Sequence, residues 1–561
     1  MILRGLPSES GELPVIVVGA GPAGLVHSLE LRRRGVPVLV LAGGADGFDS
    51  RFQDLAEAEI AEPVRHAPMA MAVRRALGGT SLLWGGRCVP FDAVDFAARP
   101  QVPGSGWPID AEDAASWYPR AMTYLDAGAP RFSLPLASRP EQGDVRFDRL
   151  ERWSEGRDLR RLHADALARD PGLRICLGAV AVGLEIDPVC GHVAAVTVAD
   201  PSGARRRLAA RAFVLACGGL ETTRLLLTAQ RERPRLFGGA AGPLGRYYMG
   251  HVEGRIAEIV LTSALSDAAF GFLIDTDGRY VRRRIAIADE AQQRHGLLNL
   301  AAWPDNPALR RPEHRSAILS LAALSLATPG LGRLLAPEAI RRKHLKEGAP
   351  AIRRHLANVL RGLPEASREA AKFLYRRFVA TPRLPGFFLT NRARRYTFLY
   401  HAEQAPNAES RVTLSERRDA LGMPRLRIDL RFGEIDARSV IASHAVIDRE
   451  LRRSGIGRLE YTVPEAERFA SILEQATDGF HQIGTIRMAA EAAHGVVDRE
   501  CRVHGAPNLF VASSAVFPTS GQANPTLLVA ALSARLAEHV AGVLAELDAP
   551  AAATPARAVA G

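Results

Sequence analysis

The sequence predicts an α/β fold in which a nucleotide-binding domain is interleaved with a second domain of antiparallel sheet and helices. Three observations predict it. A short apolar strand at residues 15–18 runs into Gly19-Ala-Gly21-Pro-Ala-Gly24, a helix and a second apolar strand at 36–41. Strand-like alternation returns between 173 and 216 and again at intervals from 252 to 430. Near the end, a buried-looking strand at 510–512 is followed by an apolar helix through Leu527, Leu528, Ala531, Leu532, Leu536 and Val540, a 3.6-residue pattern.

The first unit is a β-α-β with G-x-G-x-x-G in its turn. Gly19 allows the tight turn, Gly21 lets backbone approach a pyrophosphate at the helix amino end, and Gly24 allows close helix–strand packing. This is a Rossmann-like dinucleotide site. The acid expected after the second strand, which would hold the ribose hydroxyls, is replaced by Ala42; Asp46 and Asp49 are the nearest substitutes. Residues 74–87 bring Gly78-Gly79-Thr80-Ser81 and Trp84-Gly85-Gly86, a backbone-rich loop suited to lying along a cofactor. Asp110 begins a helix through Trp117 and Tyr118. Residues 173–216 read as a small antiparallel meander returning to a parallel strand that ends Ala216-Cys217-Gly218-Gly219, again open to close backbone approach.

From 252 to 400 motifs thin out. Strands are expected at 255–261, 279–287, 297–303 and 396–403, and residues 308–385 form a helical, strongly basic insert, with Arg341-Arg-Lys-His-Leu-Lys346, Arg353-Arg354 and Arg376-Arg377 among Leu356, Leu360, Phe373 and Phe378. An amphipathic basic hairpin of this kind suits anionic lipid or an acidic partner; a solvated helical cover is the reading favoured. Residues 411–414 and 425–430 resume the sheet, and a helix at 434–454 leads towards His481. The domains are therefore expected as 12–250, mainly nucleotide-binding; 251–475, the second domain; 476–545, a return to the first; and 549–561, an Ala/Pro-rich disordered tail.

At the carboxyl end, Asp478-Gly-Phe-His481-Gln-Ile-Gly484 and Ala523-Asn524-Pro525-Thr526 frame a site. Pro525 suits the first helical position, so the helix starts at Asn524 or Pro525, and its amino end favours an anion or an electron-rich carbonyl. His481 is the nearest proton acceptor, and residues 513–523 form a small-residue loop.

Composition bounds the rest. The 561 residues, 47% hydrophobic and 24% charged, suit a globular chain of two domains. The +11 net charge comes mainly from Arg and is as readily a compositional habit as a sign of an acidic partner; no nucleic-acid motif accompanies it. Five cysteines lack C-x-x-C spacing, which argues against a disulfide framework or a Cys-based zinc site, and no metal is expected. Residues 1–13 lack the apolar core of a secretory signal, and no uncharged apolar run reaches about 18 residues, so the expected location is the cytoplasm.

Together, the Gly19–Gly24 turn, Gly78-Gly-Thr-Ser, the Ala-Cys-Gly-Gly strand end, Pro406-Asn407-x-Glu-Ser-Arg411-Val-Thr-Leu, His481-x-x-Gly484-Thr485-x-Arg487-Met488 and Asn524-Pro-Thr526 resemble the glucose–methanol–choline (GMC) flavoprotein oxidoreductases, nearly end to end. The Trp84-Gly-Gly and Phe517-Pro-Thr-Ser-Gly-x-Ala-Asn-Pro-Thr stretches are most similar to the branch with pyranose 2-oxidase, bacterial fructose dehydrogenase and glycoside 3-oxidases. The resemblance implies an FAD-binding domain of the p-hydroxybenzoate hydroxylase/GMC type with FAD contacted by Gly19, Gly21, Gly24, Gly78, Gly79, Thr80, Ser81, Ala216, Gly218, Ser514, Pro525 and Thr526. It also implies His481 as the base and Asn524 as the second catalytic group. Leu83 stands where pyranose 2-oxidase carries its flavin-linked His, which implies non-covalent FAD. Ala42 and Ser513 depart from the family pattern.

The expected activity is oxidation of a primary or secondary alcohol, a sugar or glycoside hydroxyl, with oxygen, a quinone or another carrier as acceptor. A sterol or polyol is the alternative substrate. A lyase or a flavin-binding partner protein is the alternative class, against which His481 and Asn524 both argue. No second G-x-G-x-x-G is present for NAD.

Overall fold

The computed structural model describes residues 1–7, 12–136, 143–335, 351–391 and 393–548. Six parallel strands form its nucleotide-binding sheet, in the spatial order Ile2–Arg4, Leu173–Leu177, Val38–Ala42, Leu13–Val18, Ala210–Leu215, Leu509–Val511. Val15, Ile16 and Val17 are wholly buried because both faces of the sheet are covered, which is why the strand reads as an unbroken apolar run. Helix Pro22–Arg33 follows the glycine turn and packs on helix Thr526–Asp548, so the two ends of the chain meet on one face. The carboxyl-terminal helix is long and apolar enough by composition to cross a membrane, but two-thirds of its most apolar window is buried inside the protein, as a core helix requires.

The second large sheet has six strands, all paired antiparallel: Gly457–Tyr461, His251–Leu261, Arg395–Glu403, Leu300–Asp305, Ile285–Ile287 and Val145–Arg146. Helix Glu434–Arg453 packs on it through Ala437, Val440, Ile447 and Leu451. Outside it, helices Ala317–Ala327, Ile352–Arg361 and Leu363–Leu374 form a cover. The basic run 341–346 and the tail 549–561 lie outside the described residues.

Three expectations are corrected. Leu173–Leu177 belongs to the parallel sheet, and only Val180–Ile186, Val193–Ala199 and Arg205–Leu208 make the meander. Arg411–Arg418 and Pro424–Asp429 do not rejoin the large sheet; they form a separate three-stranded sheet with Ala58–Ile60. The last helix begins at Thr526, and Pro525 precedes it, its carbonyl accepting the first helical bond from Val529 N–H at 2.8 Å.

Candidate active site

A cavity of about 1000 Å³ runs between the two halves. One wall is backbone and small side chains: Gly19, Gly21, Ala42, Gly43, Gly44, Gly79, Thr80, Ser81, Ala216, Gly218, Ser514, Pro525 and Thr526 line it. Gly24 and Gly78 lie behind this wall. A Cβ on Gly24 would overlap the Gly19 carbonyl oxygen, so Gly24 sets how closely helix and strand approach. Gly79 has φ +53°, and a Cβ there would stand 2.7 Å from Gly21 Cα, so the second glycine loop is packed onto the first. Ser81 spends its hydroxyl on the Gly78 carbonyl at 2.6 Å, while Thr80 remains open to the cavity.

Neither Asp46 nor Asp49 replaces the acid missing at Ala42. Asp49 caps helix Ser50–Gln53, and Asp46 pairs with Arg160 at the surface. Glu221 does line the cavity, held by Arg75 Nη1 at 2.7 Å, and Asp419, paired with Arg224 at 2.6 Å, lines it too.

The opposite wall carries His481, with two further histidines buried behind it. Isolated bridges pair Met249 with Ile483 and His251 with Thr477, which lays the segment around His481 against the start of strand His251–Leu261. In that strand's register with Arg395–Glu403, His251 sits opposite Glu403 and Glu253 opposite His401, so His251 and His401 are diagonal neighbours on one face. Their rings stack with centroids 4.1 Å apart, and His481 meets His251 edge-on at 4.6 Å. His481 follows a tight turn in which Phe480, a cavity residue, is held at φ +63°; a side chain in this left-handed region costs about 1 kcal/mol. Asp478 anchors the turn, accepting from the N–H of Ala67 at 3.1 Å while its carbonyl accepts from His481 N–H at 3.0 Å.

The hydrogen bonds give the imidazoles a sense. Asn524 Nδ2 donates to His481 Nε2 at 3.2 Å, so His481 carries its proton on Nδ1 and donates it to His251 Nδ1 at 2.7 Å. His251 then carries its own proton on Nε2. His401 Nδ1 donates to the Gln522 carbonyl at 2.7 Å. The loop bearing Gln522 and Asn524 is itself pinned: Gln522 Nε2 donates to Asp92 at 2.9 Å, Trp107 Nε1 to Thr519 at 2.9 Å, and Gln404 N–H to Ser520 at 3.0 Å.

Burial keeps all three rings neutral. It pushes His481 down to about 4, opposed by the charge of Glu253 and reinforced by Arg87; it pushes His401 down to about 3 and His251 well below the ordinary range. Among the described residues these three rings are the group that could hold a metal, with ligand atoms within 4.8 Å of one another. The 2.7 Å Nδ1–Nδ1 separation is a hydrogen bond, shorter than two nitrogens adopt on one tetrahedral ion.

Known proteins bear on this geometry. Residues 406–533 match the family model described as GMC oxidoreductase, and residues 12–51 match that described as FAD binding domain. Residues 406–533 are a GMC oxidoreductase carboxyl-terminal domain. Among curated GMC relatives, paromamine 6'-oxidase of Streptomyces fradiae is 35% identical over 139 residues, 25% of this chain and 24% of that protein. C-glycoside 3-oxidase of Microbacterium trichothecenolyticum is 33% identical over 136 residues, 24% of this chain and 25% of that protein. Fructose dehydrogenase large subunit of Gluconobacter japonicus is 24% identical over 385 residues, 68% of this chain and 56% of that protein. The matches thus span between a quarter and about half of these relatives' own lengths. The solved pyridoxine 4-oxidase of Mesorbium loti shares the fold, with TM-score 0.50 at 15% identity over 94% of this chain and 99% of that one.

The cavity fits FAD. It is long, its glycine wall admits backbone-close contact, and Asn524 Oδ1 is buried in it without a protein partner. Sequence reasoning missed His251, His401, Glu221 and Arg87. A signal existed for the first two: each is a lone His within an otherwise buried, alternating strand. Their meeting with His481 depends on strand register across about 150 residues, which no local pattern shows.

Proposed function

We propose that this chain is a GMC oxidoreductase that oxidises an alcohol, a sugar or glycoside hydroxyl, with His481 taking the hydroxyl proton. The observation that carries it is that His481 Nε2, bonded to the Asn524 amide at 3.2 Å, lines the same cavity as the Gly19–Gly21 turn. The names of the relatives, oxidases and a dehydrogenase of paromamine, C-glycosides and fructose, support a sugar-like substrate.

Gly19, Gly21, Gly79, Thr80, Ala216, Gly218, Ser514, Pro525 and Thr526 would hold FAD, with Glu221 as the carboxylate for its ribose hydroxyls in place of the acid missing at Ala42. Bound there, FAD supplies the hydride acceptor. The residues supply everything around it. Neutral at pH 7, His481 has one Nε2 lone pair, which accepts from the Asn524 amide; a substrate hydroxyl entering between the two would donate to that lone pair while its oxygen accepts from Asn524 Nδ2. On taking the proton, His481 becomes an imidazolium whose Nδ1–H is already directed at His251 Nδ1, so His251 stabilises the charge and fixes the ring. His401, stacked on His251 and bonded to Gln522, keeps that ring in place. The amino end of helix Thr526–Asp548 favours negative charge at the facing wall.

Anaerobic titration of the FAD-loaded protein with a panel of sugars, glycosides, polyols and a sterol tests this. Bleaching of the flavin band by sugars is the expected result. Bleaching by the sterol alone overturns the substrate class, and no bleaching by any alcohol overturns the reaction.

A further inference from the structure

The helical cover is built inside out. In helix Ile352–Arg361 the buried residues are polar: His355 bonds Ser320 Oγ at 3.0 Å and the Arg310 carbonyl at 3.1 Å, and Asn358 Nδ2 donates to the Pro312 carbonyl at 2.9 Å. The residues facing solvent are Ile352, Leu356 and Leu360, one stripe at i, i+4 and i+8, exposed 56, 47 and 73%. Leu363, Leu374, Tyr375, Phe378 and Val379 continue the exposed series through the next helix and the π-helical turn Tyr375–Val379. A globular surface scatters its exposed large apolar residues singly. Here they are gathered in consecutive elements that pack on helix Ala317–Ala327 and on each other.

The charge around this stripe is one-sided. Residues 352–379 contain seven Lys and Arg against two Glu. Arg353, Arg361 and Arg368 are exposed in the same helices, and Arg354 is exposed and paired with Glu313. We propose that this face docks on the surface of an anionic lipid bilayer. Apolar side chains would enter the boundary between headgroups and acyl chains while the guanidinium groups stay among anionic headgroups.

Two other occupants fit less well. A second copy seated two-fold on the same face would set arginines against arginines. The sequence of residues 336–350 is basic too, with four Lys and Arg against two Glu, and offers no complementary charge. The position relative to the cavity adds a reason for the arrangement. Within the turn that exposes Tyr375, Phe378 and Val379, Arg377 lines the cavity, and its guanidinium donates to the carbonyls of Leu384 and of Pro385, a further lining residue. A bilayer against the stripe would therefore lie beside this part of the cavity lining. This inference stands on the surface alone and does not depend on which alcohol, if any, is oxidised.

The test is flotation of the full-length, FAD-loaded chain with phosphatidylcholine vesicles, with and without about 30% phosphatidylglycerol. The wild type should float with the anionic vesicles and far less with the neutral ones, and added salt should release it. The variant Leu356→Ser/Leu360→Ser/Phe378→Ser should lose about 10-fold or more of that partition. Arg353→Gln/Arg361→Gln/Arg368→Gln should lose about 100-fold on anionic vesicles and little on neutral ones. Both should keep the wild-type flavin spectrum and Tm, since all six side chains face outward. Four results would overturn the proposal: no partition at low salt, partition unchanged by the serine variant, a lipid-free dimer that the serine variant disperses, or lipid binding that appears only after residues 336–350 are deleted.

Discussion

The two walls of the cavity are made by opposite means. The cofactor wall is a matter of absence: glycines and small residues within short loops remove side chains so that backbone can approach, and each loop is specified by a few neighbouring residues. The wall facing it is a matter of presence: His481 is backed by two buried imidazoles, His251 hydrogen-bonded to it and His401 stacked on His251, only because an antiparallel sheet and a pair of isolated bridges align. One wall is local and intolerant of added atoms; the other is assembled over long range and intolerant of removed ones. Substitutions should therefore fail differently on the two sides.

The largest expected effect is on the cofactor wall. Gly79→Val would drive a branched side chain into Gly21 from a backbone at φ +53°, so we expect a protein that does not retain FAD through gel filtration. Retention of stoichiometric flavin would mean that the two glycine loops are not packed as described. On the other wall, His481→Ala should keep FAD and slow anaerobic flavin reduction by about 10²-fold or more. If both variants lost flavin alike, or both kept it and reduced it normally, the division of labour between the walls would be wrong.

This asymmetry also explains what could be read in the sequence. Gly19-x-Gly21-x-x-Gly24 between two apolar strands identified its wall because turn, close approach and helix start all lie within about ten residues. His481 and Asn524 were legible for a similar reason, each beside a backbone-determining neighbour, Gly479–Phe480 and Pro525. His251 and His401 were not, since burial and register, not sequence neighbours, make them partners. Glu221 carries no local signal, since it comes from helix Gly219–Glu232, distant in sequence from Ala42, and is joined to the neighbouring Gly43 carbonyl only through Arg75. The cover shows the same limit: the sequence leaves a basic amphipathic hairpin and a solvated helical cover both open, and only the hydrogen bonds of His355 and Asn358 show which face of the helix is turned inward.

A smaller effect separates positioning from proton transfer. His251 touches His481, the proposed base, and does not line the cavity, so His251→Leu should lower the limiting rate of flavin reduction by about 10-fold with little change in the substrate concentration needed for half-maximal rate. His251→Asn, whose carbonyl can still accept from His481 Nδ1–H, should recover part of the loss. A merely structural role would show no such recovery, and a direct contact with substrate would move the half-saturating concentration instead.

The smallest effect is on stability, and it belongs to the histidine wall alone. His401 is held neutral down to about pH 3 by burial and by the neighbouring His481 ring, with Glu253 opposing and Arg284 reinforcing, whereas in the unfolded chain it protonates near 6.5. Between those values the unfolded state binds a proton that the folded state does not, so this residue makes the fold less stable as pH falls, by about 1.4 kcal/mol per pH unit. Asp436, pushed up to about 7 by burial, runs in the opposite direction, because there the folded state binds the extra proton. The bulk pH dependence therefore mixes both signs, and the informative quantity is the difference between wild type and His401→Gln. Going from pH 6.5 to 5.5, denaturant unfolding of the FAD-loaded proteins should show wild type losing about 1 kcal/mol more than the variant. An equal loss in both would mean that the His401 ring is charged in the folded protein. A cationic ring stacked at 4.1 Å on His251 could not coexist with the neutral hydrogen-bonded pair of His251 and His481 on which the proposed base role rests.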